Sequence, residues 1–460
     1  MRRVVVIGGG IAGLAAAWAA HAAAGRVRGG LDVLVLERAD DVGGKARTIL
    51  RDGWLVEAGP TGFLSGRTEM DRLVTGAGLA SEVVTANPAA AHRFIYHGGR
   101  MRRVAANPIG LVRSGLLSGR GALRLLADMV VPRRRGGGDE SIWDFAARRL
   151  GAEAADRLIA PMTLGVFAGD ARRLSLVASF PQMAALEHDH GSLIRGLLAR
   201  RGKMRSGTMT SFAGGMQELP RALATRGGFR VSCRSAVDGI ARMQSGWEIR
   251  VGHAGATITA DAIILALDSA PAAALLREHS PALAADLEAI PSPPVGVVAL
   301  GYGPEARERI PNGFGVLIAR GEGFRMLGNL WDSHLFPGRC PDGHVLIRAM
   351  YGGGVDPAAA MLPPGELAAL ARAEVARLYG IDAAPCFEQV VQWPRAIPQY
   401  ELGHSARIAR IDEATVALPG VFITGSALHG IAFPAAVAHG VQTGERVVEW
   451  LSVRTVDPHR

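Results

Sequence analysis

The spacing of apolar and polar positions marks out the elements of this chain before any chemistry is considered. Val4 to Ile7 is a short, unbroken apolar run, the pattern of a strand covered on both faces, and it feeds directly into glycines. Ile11 to Ala24 predicts a helix, and Asp32 to Glu37 predicts a second strand with Val33 and Val35 on one face and Leu34 and Leu36 on the other. Strand, helix and strand in this order make a βαβ unit. From about Arg93 to Arg205 the character changes, as a strand-like piece at Phe94 to Tyr96 gives way to helical stretches. Gly214 to Ala224 then reads as a helix, and Phe229 to Cys233, Trp247 to Val251 and Ala262 to Leu267 read as strands. Val295 to Tyr302, Gly315 to Ile318 and Val345 to Tyr351 suggest a second sheet, followed by a helix over Glu366 to Tyr379. A strand at Val421 to Thr424 and a helix at Ala435 to Leu451 return the chain to its first domain.

Composition narrows the class without choosing a function. A chain of 460 residues with 48% hydrophobic and 20% charged residues is globular and has room for two or three domains around a buried ligand. Cys233, Cys340 and Cys386 are far apart and form no CxxC pair, which argues against a disulfide framework or a thiolate metal site and favours a reducing compartment. Met1-Arg2-Arg3 leads into too short an apolar run for a signal peptide, and no run of about 18 apolar residues occurs, so a cytoplasmic location with at most peripheral membrane contact is expected. A net charge of +9 would attract anionic partners, whether a phospholipid surface, nucleic acid or a carboxylate-rich substrate, and charge alone does not choose among them; no nucleic-acid partner is expected.

Chemistry enters at Gly8-Gly9-Gly10-Ile11-Ala12-Gly13, a GxGxxG turn between the first strand and the first helix. Gly8 allows the tight turn, Gly10 lets the backbone approach a pyrophosphate, and Gly13 lets the helix lie close to the strand. The anion then meets unpaired N–H groups at the positive end of the helix. Glu37 closes the second strand where an acid can accept a ribose hydroxyl. The following Asp41-Val42-Gly43-Gly44-Lys45-Ala46-Arg47 and Trp54 to Pro60 resemble the flavin branch of dinucleotide-binding proteins rather than plain nicotinamide dehydrogenases. The expected fold class is therefore α/β. A Rossmann-like FAD-binding domain in three parts (1–92, 206–290 and 416–460) is interleaved with a mixed-sheet substrate domain (291–415) and carries a largely helical, membrane-binding-like insertion (93–205).

Further stretches carry a more specific likeness: Gly165 to Asp170 with Leu174-Ser175 and Phe180-Pro181, Gly191 to Ile194, Phe212 to Met216, and Ile397 to His404. With these the chain resembles, nearly end to end, the protoporphyrinogen and coproporphyrinogen oxidases of the amine-oxidase-like flavoprotein superfamily. The resemblance implies FAD, held by Gly8 to Gly13, Glu37, Arg38 and Lys45 at the adenine, ribose and phosphates and by Gly59, Pro60, Thr61 and Gly62 on the flavin side. It places the backbone at Val237 against the adenine, Trp393 beside the isoalloxazine, and Gly425 with Ile431, Ala432 and Phe433 at the closing flavin-binding stretch. On the substrate side it implies that Arg93 pairs with a propionate, and that Val166, Phe314, Gly315 and Met350 line a tetrapyrrole pocket. Two departures stand out: alanines follow Pro434 where many members have a polar or acidic residue, and Ser426 follows Gly425 where asparagine or aspartate is common.

The implied reaction is stepwise two-electron oxidation of a porphyrinogen at FAD, with O2 as final oxidant and hydrogen peroxide as product. The cofactor carries the hard chemistry, and no side chain is singled out as catalytic. His188 and His190 have no third ligand spaced to join them, so no metal is expected. Within Pro108 to Arg135, Leu111, Val112, Leu116, Leu117, Leu123, Leu125, Leu126 and Met129 mingle with Arg113, Arg120, Arg124 and Arg133-Arg134-Arg135, a composition suited to an anionic bilayer surface. A homodimer is left open. So are two other functions: oxidation of an amine or a polyene, against which Arg93 argues because neither substrate needs a carboxylate partner, and binding of flavin or tetrapyrrole without turnover.

Overall fold

The structure, a computed structural model, describes residues 1–105, 107–134, 136–199, 207–252 and 255–453. Arg135, the last arginine of the basic run, lies outside them.

Five parallel strands form the first sheet, in the spatial order Arg230–Ser232, Leu31–Leu36, Arg2–Ile7, Ala262–Leu265 and Val421–Ile423. Its central members are apolar on both faces because both faces are covered, and Val4, Val5 and Val6 are fully buried. The helix Ile11–Ala22 lies on one face, and the last helix, Phe433–Val453, lies on it in turn. Small residues set that approach. A Cβ at Gly440 would come within 2.3 Å of the Ala12 carbonyl oxygen, and one at Gly444 within 2.2 Å of that of Ala16.

The predicted first helix stops short of Ala24, with a 3-10 turn over Ala24–Arg26 that contains Gly25. The predicted helix from Gly214 starts only at Glu218, because Gly215 turns the chain at a positive φ of 98°. Val237–Arg242, Trp247–Val251 and Ala256–Ala260 form an antiparallel meander beside this domain.

The second large sheet has seven strands, ordered Phe387–Trp393, Val295–Tyr302, Val345–Gly352, Gly328–Trp331, Gly315–Ile318, Arg93–His97 and Arg100–Arg103. Its last hairpin comes from the segment that the sequence groups with the helical insertion. Arg93–His97 joins by parallel pairing with Gly315–Ile318, a contact so distant along the chain that no local pattern announces it. Between that hairpin and Met209–Phe212 the described chain is helical. Its apolar residues divide: Leu111, Leu116 and Leu117 are buried in a core cluster, whereas Val112, Leu123, Leu126 and Met129 face outward with Ile109 and Val130. The apolar surface of this region is thus narrower than its sequence suggests, because helix packing claims those three leucines.

Candidate active site

The glycine turn folds as its spacing requires. Gly8 turns at a φ of 113°, and a Cβ there would lie 2.3 Å from the Ala266 carbonyl oxygen. At Gly13 a Cβ would lie 2.1 Å from the carbonyl oxygen of Gly8, so helix and strand can pack only with glycine at both positions. Gly10 differs. Its φ is −70°, and nothing stands within 4 Å of where its Cβ would be. The helix starts there without a side-chain cap or an acid in its first turn. Its free N–H groups therefore adjoin the cavity that Gly10, Ile11 and Ala12 line. At the end of the second strand the Glu37 carboxylate accepts the N–H of Gly9 at 2.7 Å and of Ala39 at 2.8 Å, one on each oxygen. Each oxygen keeps a lone pair for a hydroxyl donor.

The cavity continues from this turn to the seven-stranded sheet with a volume of about 1900 Å³. Glu37, Arg38, Lys45, Gly59 to Gly62, Val237, Trp393, Gly425 and Ile431 to Phe433 line it, and so do Arg93, Val166, Phe314, Gly315 and Met350. Gly9 and Gly13 do not. The Gly9 N–H goes to Glu37, and Gly13 is turned onto the strand. Lys45 Nζ is paired with Asp268 at 2.5 Å. The Arg93 guanidinium sits over the Phe314 ring, 5.1 Å from its centroid. The acids of the lining, Glu37, Asp40, Asp41, Asp238, Asp268 and Glu278, all belong to segments of the parallel sheet and its meander. None stands on the part walled by Arg93, Val166, Phe314 and Met350.

Beneath the Gly59 to Gly62 loop lies a buried polar network. Glu57 accepts the Thr48 hydroxyl at 2.9 Å and the Met216 N–H at 2.8 Å; burial nonetheless pushes its carboxyl up to about 7, the hydrogen bonds and nearby Arg339 and Arg348 pulling the other way. Arg348 donates from Nε to Asp332 at 2.8 Å and from Nη1 to the carbonyl oxygens of Glu57 and Gly59 at 2.7 and 2.8 Å, while Nη2 donates to the Thr61 hydroxyl. Trp393 Nε1 donates to the Ala58 carbonyl oxygen at 2.7 Å. On the far side, the Tyr400 hydroxyl donates to the Ser426 carbonyl oxygen at 2.5 Å and accepts the Gly430 N–H at 2.7 Å, bracing the closing stretch.

Sequence reasoning named neither Thr48 nor Arg348, and took Glu57 only as part of the Trp54 to Pro60 stretch. One signal was available: Arg348 interrupts a strand, Val345–Gly352, that is otherwise apolar on both faces. A charge in such a strand needs a buried partner.

A pocket for one drug-sized ligand measures roughly 300–1,000 Å³. This cavity exceeds that range, which leaves room for more than one such ligand. The open space at Gly10, the uncapped helix start and the half-used Glu37 carboxylate fit the diphosphate and ribose of FAD. A parallel sheet with this turn and a second sheet walling the same cavity mark a dinucleotide-binding protein, and its family and relatives make it an FAD-dependent oxidase. The family described as flavin containing amine oxidoreductase matches residues 11–449. Protoporphyrinogen oxidase 1, chloroplastic, of Spinacia oleracea is 32% identical over 97% of this chain and 84% of its own length. Coproporphyrinogen III oxidase of Bacillus subtilis is 29% identical over 95% of this chain and 96% of its own. A solved structure from Exiguobacterium sp. 255-15 has the same fold, with a TM-score of 0.85 at 23% identity, covering 97% of this chain and 99% of that one. The chain belongs to the family of flavin containing amine oxidoreductases, among which the protoporphyrinogen and coproporphyrinogen oxidases are its relatives in sequence.

Proposed function

We propose that this protein oxidises a porphyrinogen, protoporphyrinogen IX or coproporphyrinogen III, to the porphyrin in heme biosynthesis. The observation that carries this reading is the apolar, acid-free half of the cavity, which opens off the flavin cradle and holds Arg93 over Phe314. FAD, when bound, supplies the two-electron acceptor, and O2 as final oxidant gives hydrogen peroxide. In this reading the Gly8 to Gly13 turn takes the pyrophosphate, Glu37 the ribose and the backbone at Val237 the adenine. Gly59 to Gly62, Trp393, Gly425 and Ile431 to Phe433 take the flavin ring. Arg93 receives a propionate and orients the macrocycle, while Val166, Phe314 and Met350 exclude water. A polyamine fits poorly, since a cationic substrate would meet an arginine and no acid.

Mixing the holoenzyme with each porphyrinogen should give porphyrin fluorescence and hydrogen peroxide together; neither signal with either substrate would defeat the assignment. Arg93→Ala should raise the KM about tenfold, the worth of ~1.4 kcal/mol, with little change in the flavin spectrum. An unchanged KM removes Arg93 from the pocket.

The helical region gives this reading a place to work. Leu123 and Val130 are 70% and 78% exposed, Arg113, Arg120, Arg133 and Arg134 of the same segment are exposed as well, and we propose that this region meets an anionic bilayer peripherally. Among the described residues no helix is long and apolar enough to cross a membrane. The protein should sediment with vesicles containing phosphatidylserine and not with purely zwitterionic ones, and Leu123→Asp with Val130→Asp should abolish this. Equal binding to both vesicle types, or no effect of the substitutions, would dismiss the surface.

A further inference from the structure

Arg348 is 1% exposed, yet it lies on the wall of the cavity, two residues before Met350 on the same face of its strand. A guanidinium has five N–H donors in a fixed fork. Here two are spent on Asp332, from Nε and Nη2, and the others reach the loop opposite, at the carbonyl oxygens of Glu57 and Gly59 and at the Thr61 hydroxyl. The seven-stranded sheet thereby holds the loop of the neighbouring domain by three points over five residues. An ion pair of this kind rarely adds stability over apolar residues of the same shape, so stability alone does not account for it.

The third point has a chemical consequence. The Thr61 hydroxyl carries one proton, and its oxygen is occupied by Arg348, an obligate donor. The proton must therefore turn away from Arg348. Thr61 lines the cavity, and its hydroxyl makes no other hydrogen bond among the described residues.

We propose that Arg348 is a positioning residue that fixes the Thr61 hydroxyl as a hydrogen-bond donor into the cavity, toward an acceptor on the flavin. A donor fixed in advance favours the state in which the cofactor carries more negative charge, that is, the reduced one. The inference rests on the placing of the flavin ring beside Gly59 to Gly62 and not on the identity of the substrate.

The test is the midpoint potential and visible spectrum of the holoenzyme. Thr61→Val keeps the shape and removes the hydroxyl; it should lower the potential by about 30 mV, a tenfold shift in a two-electron equilibrium. Thr61→Ser should restore it. Arg348→Met combined with Asp332→Leu removes both buried charges together, so neither is stranded, and should lower the potential to a similar extent. Adding Thr61→Val to that pair should change nothing more. Trp393→Phe is the control for the ring's location. If Trp393→Phe moves the flavin spectrum while Thr61→Val leaves spectrum and potential unchanged, the clamp is only structural and the proposal fails. If both are silent, the placing of the ring fails and the proposal with it.

Discussion

Replacing Gly10 by valine should yield a folded protein that leaves purification colourless. The backbone at Gly10 is one any residue adopts, and the new side chain meets no protein atom within 4 Å at its Cβ. The valine therefore costs the fold little. It stands instead in the space above the uncapped start of the first helix, where the diphosphate would lie against free N–H groups. An FAD affinity lowered on the order of 100-fold, or ~2.7 kcal/mol, is expected, with the thermal midpoint of the apoprotein unchanged. The added stability that FAD gives the wild type by binding only the folded state should vanish in the variant. Gly8→Val and Gly13→Val are the contrast: their Cβ atoms would collide with backbone at 2.3 and 2.1 Å, so these variants should lose the fold along with the cofactor. A yellow, fully loaded Gly10→Val protein would place the diphosphate elsewhere.

That contrast also separates what the sequence could disclose from what it could not. Gly8, Gly10 and Gly13 act over one turn and the strand beside it, so their spacing is a local record of local geometry. Glu37 is readable for the same reason, since it closes the strand next to the turn. Strands buried on both faces, such as Val4 to Ile7 and Val295 to Tyr302, announce themselves as apolar runs. Phe387–Trp393 does not, because it is a sheet edge with Glu388, Gln389 and Gln392 facing partly outward, and its only legible residue was Trp393. The helix His404–Val416 escaped notice too, as it buries only His404, Ile408 and Ile411.

The network around Arg348 is the opposite case to the glycine turn. It joins residues nearly 300 positions apart, with Glu57 and Gly59 on one side and Arg348 on the other. Glu57 and Gly59 look ordinary where they stand in the chain. Long-range polar contacts leave no periodicity, and only the oddity of a charge within an apolar strand points to them. The parallel pairing of Arg93 with Gly315 was hidden for the same reason, although it brings the proposed propionate partner and the wall of the substrate pocket to one edge of the cavity.

The helical region between Arg103 and Met209 depends on a contact of this hidden kind, and breaking it should cost the protein dearly. Asp128 and Arg149 are both fully buried. The Asp128 carboxylate accepts Arg149 Nε at 2.6 Å, the Ser192 hydroxyl at 2.6 Å and the Ile194 N–H at 2.9 Å. Arg149 in turn donates to the carbonyl oxygens of Asp128, Val131 and Gly191. One ion pair thus ties the turn Ala127–Met129, the helix Ile142–Leu150 and the start of the helix Leu193–Ala199. Asp128→Ala would leave a guanidinium in the interior with its nearest remaining carboxylate, Glu187, at 3.4 Å. A loss of about 3–5 kcal/mol is expected, which for a unit of this size lowers the midpoint on the order of 10 °C. Neither residue lines the cavity, so the variant should still bind FAD at low temperature while its helical region becomes open to limited proteolysis. Asp128→Leu combined with Arg149→Met removes both charges and should recover most of the loss, because the penalty comes from stranding one charge rather than from lacking the pair. If the double variant melts as low as Asp128→Ala, the hydrogen bonds to Ser192, Ile194 and the carbonyl oxygens, rather than the charge balance, hold the helical region together.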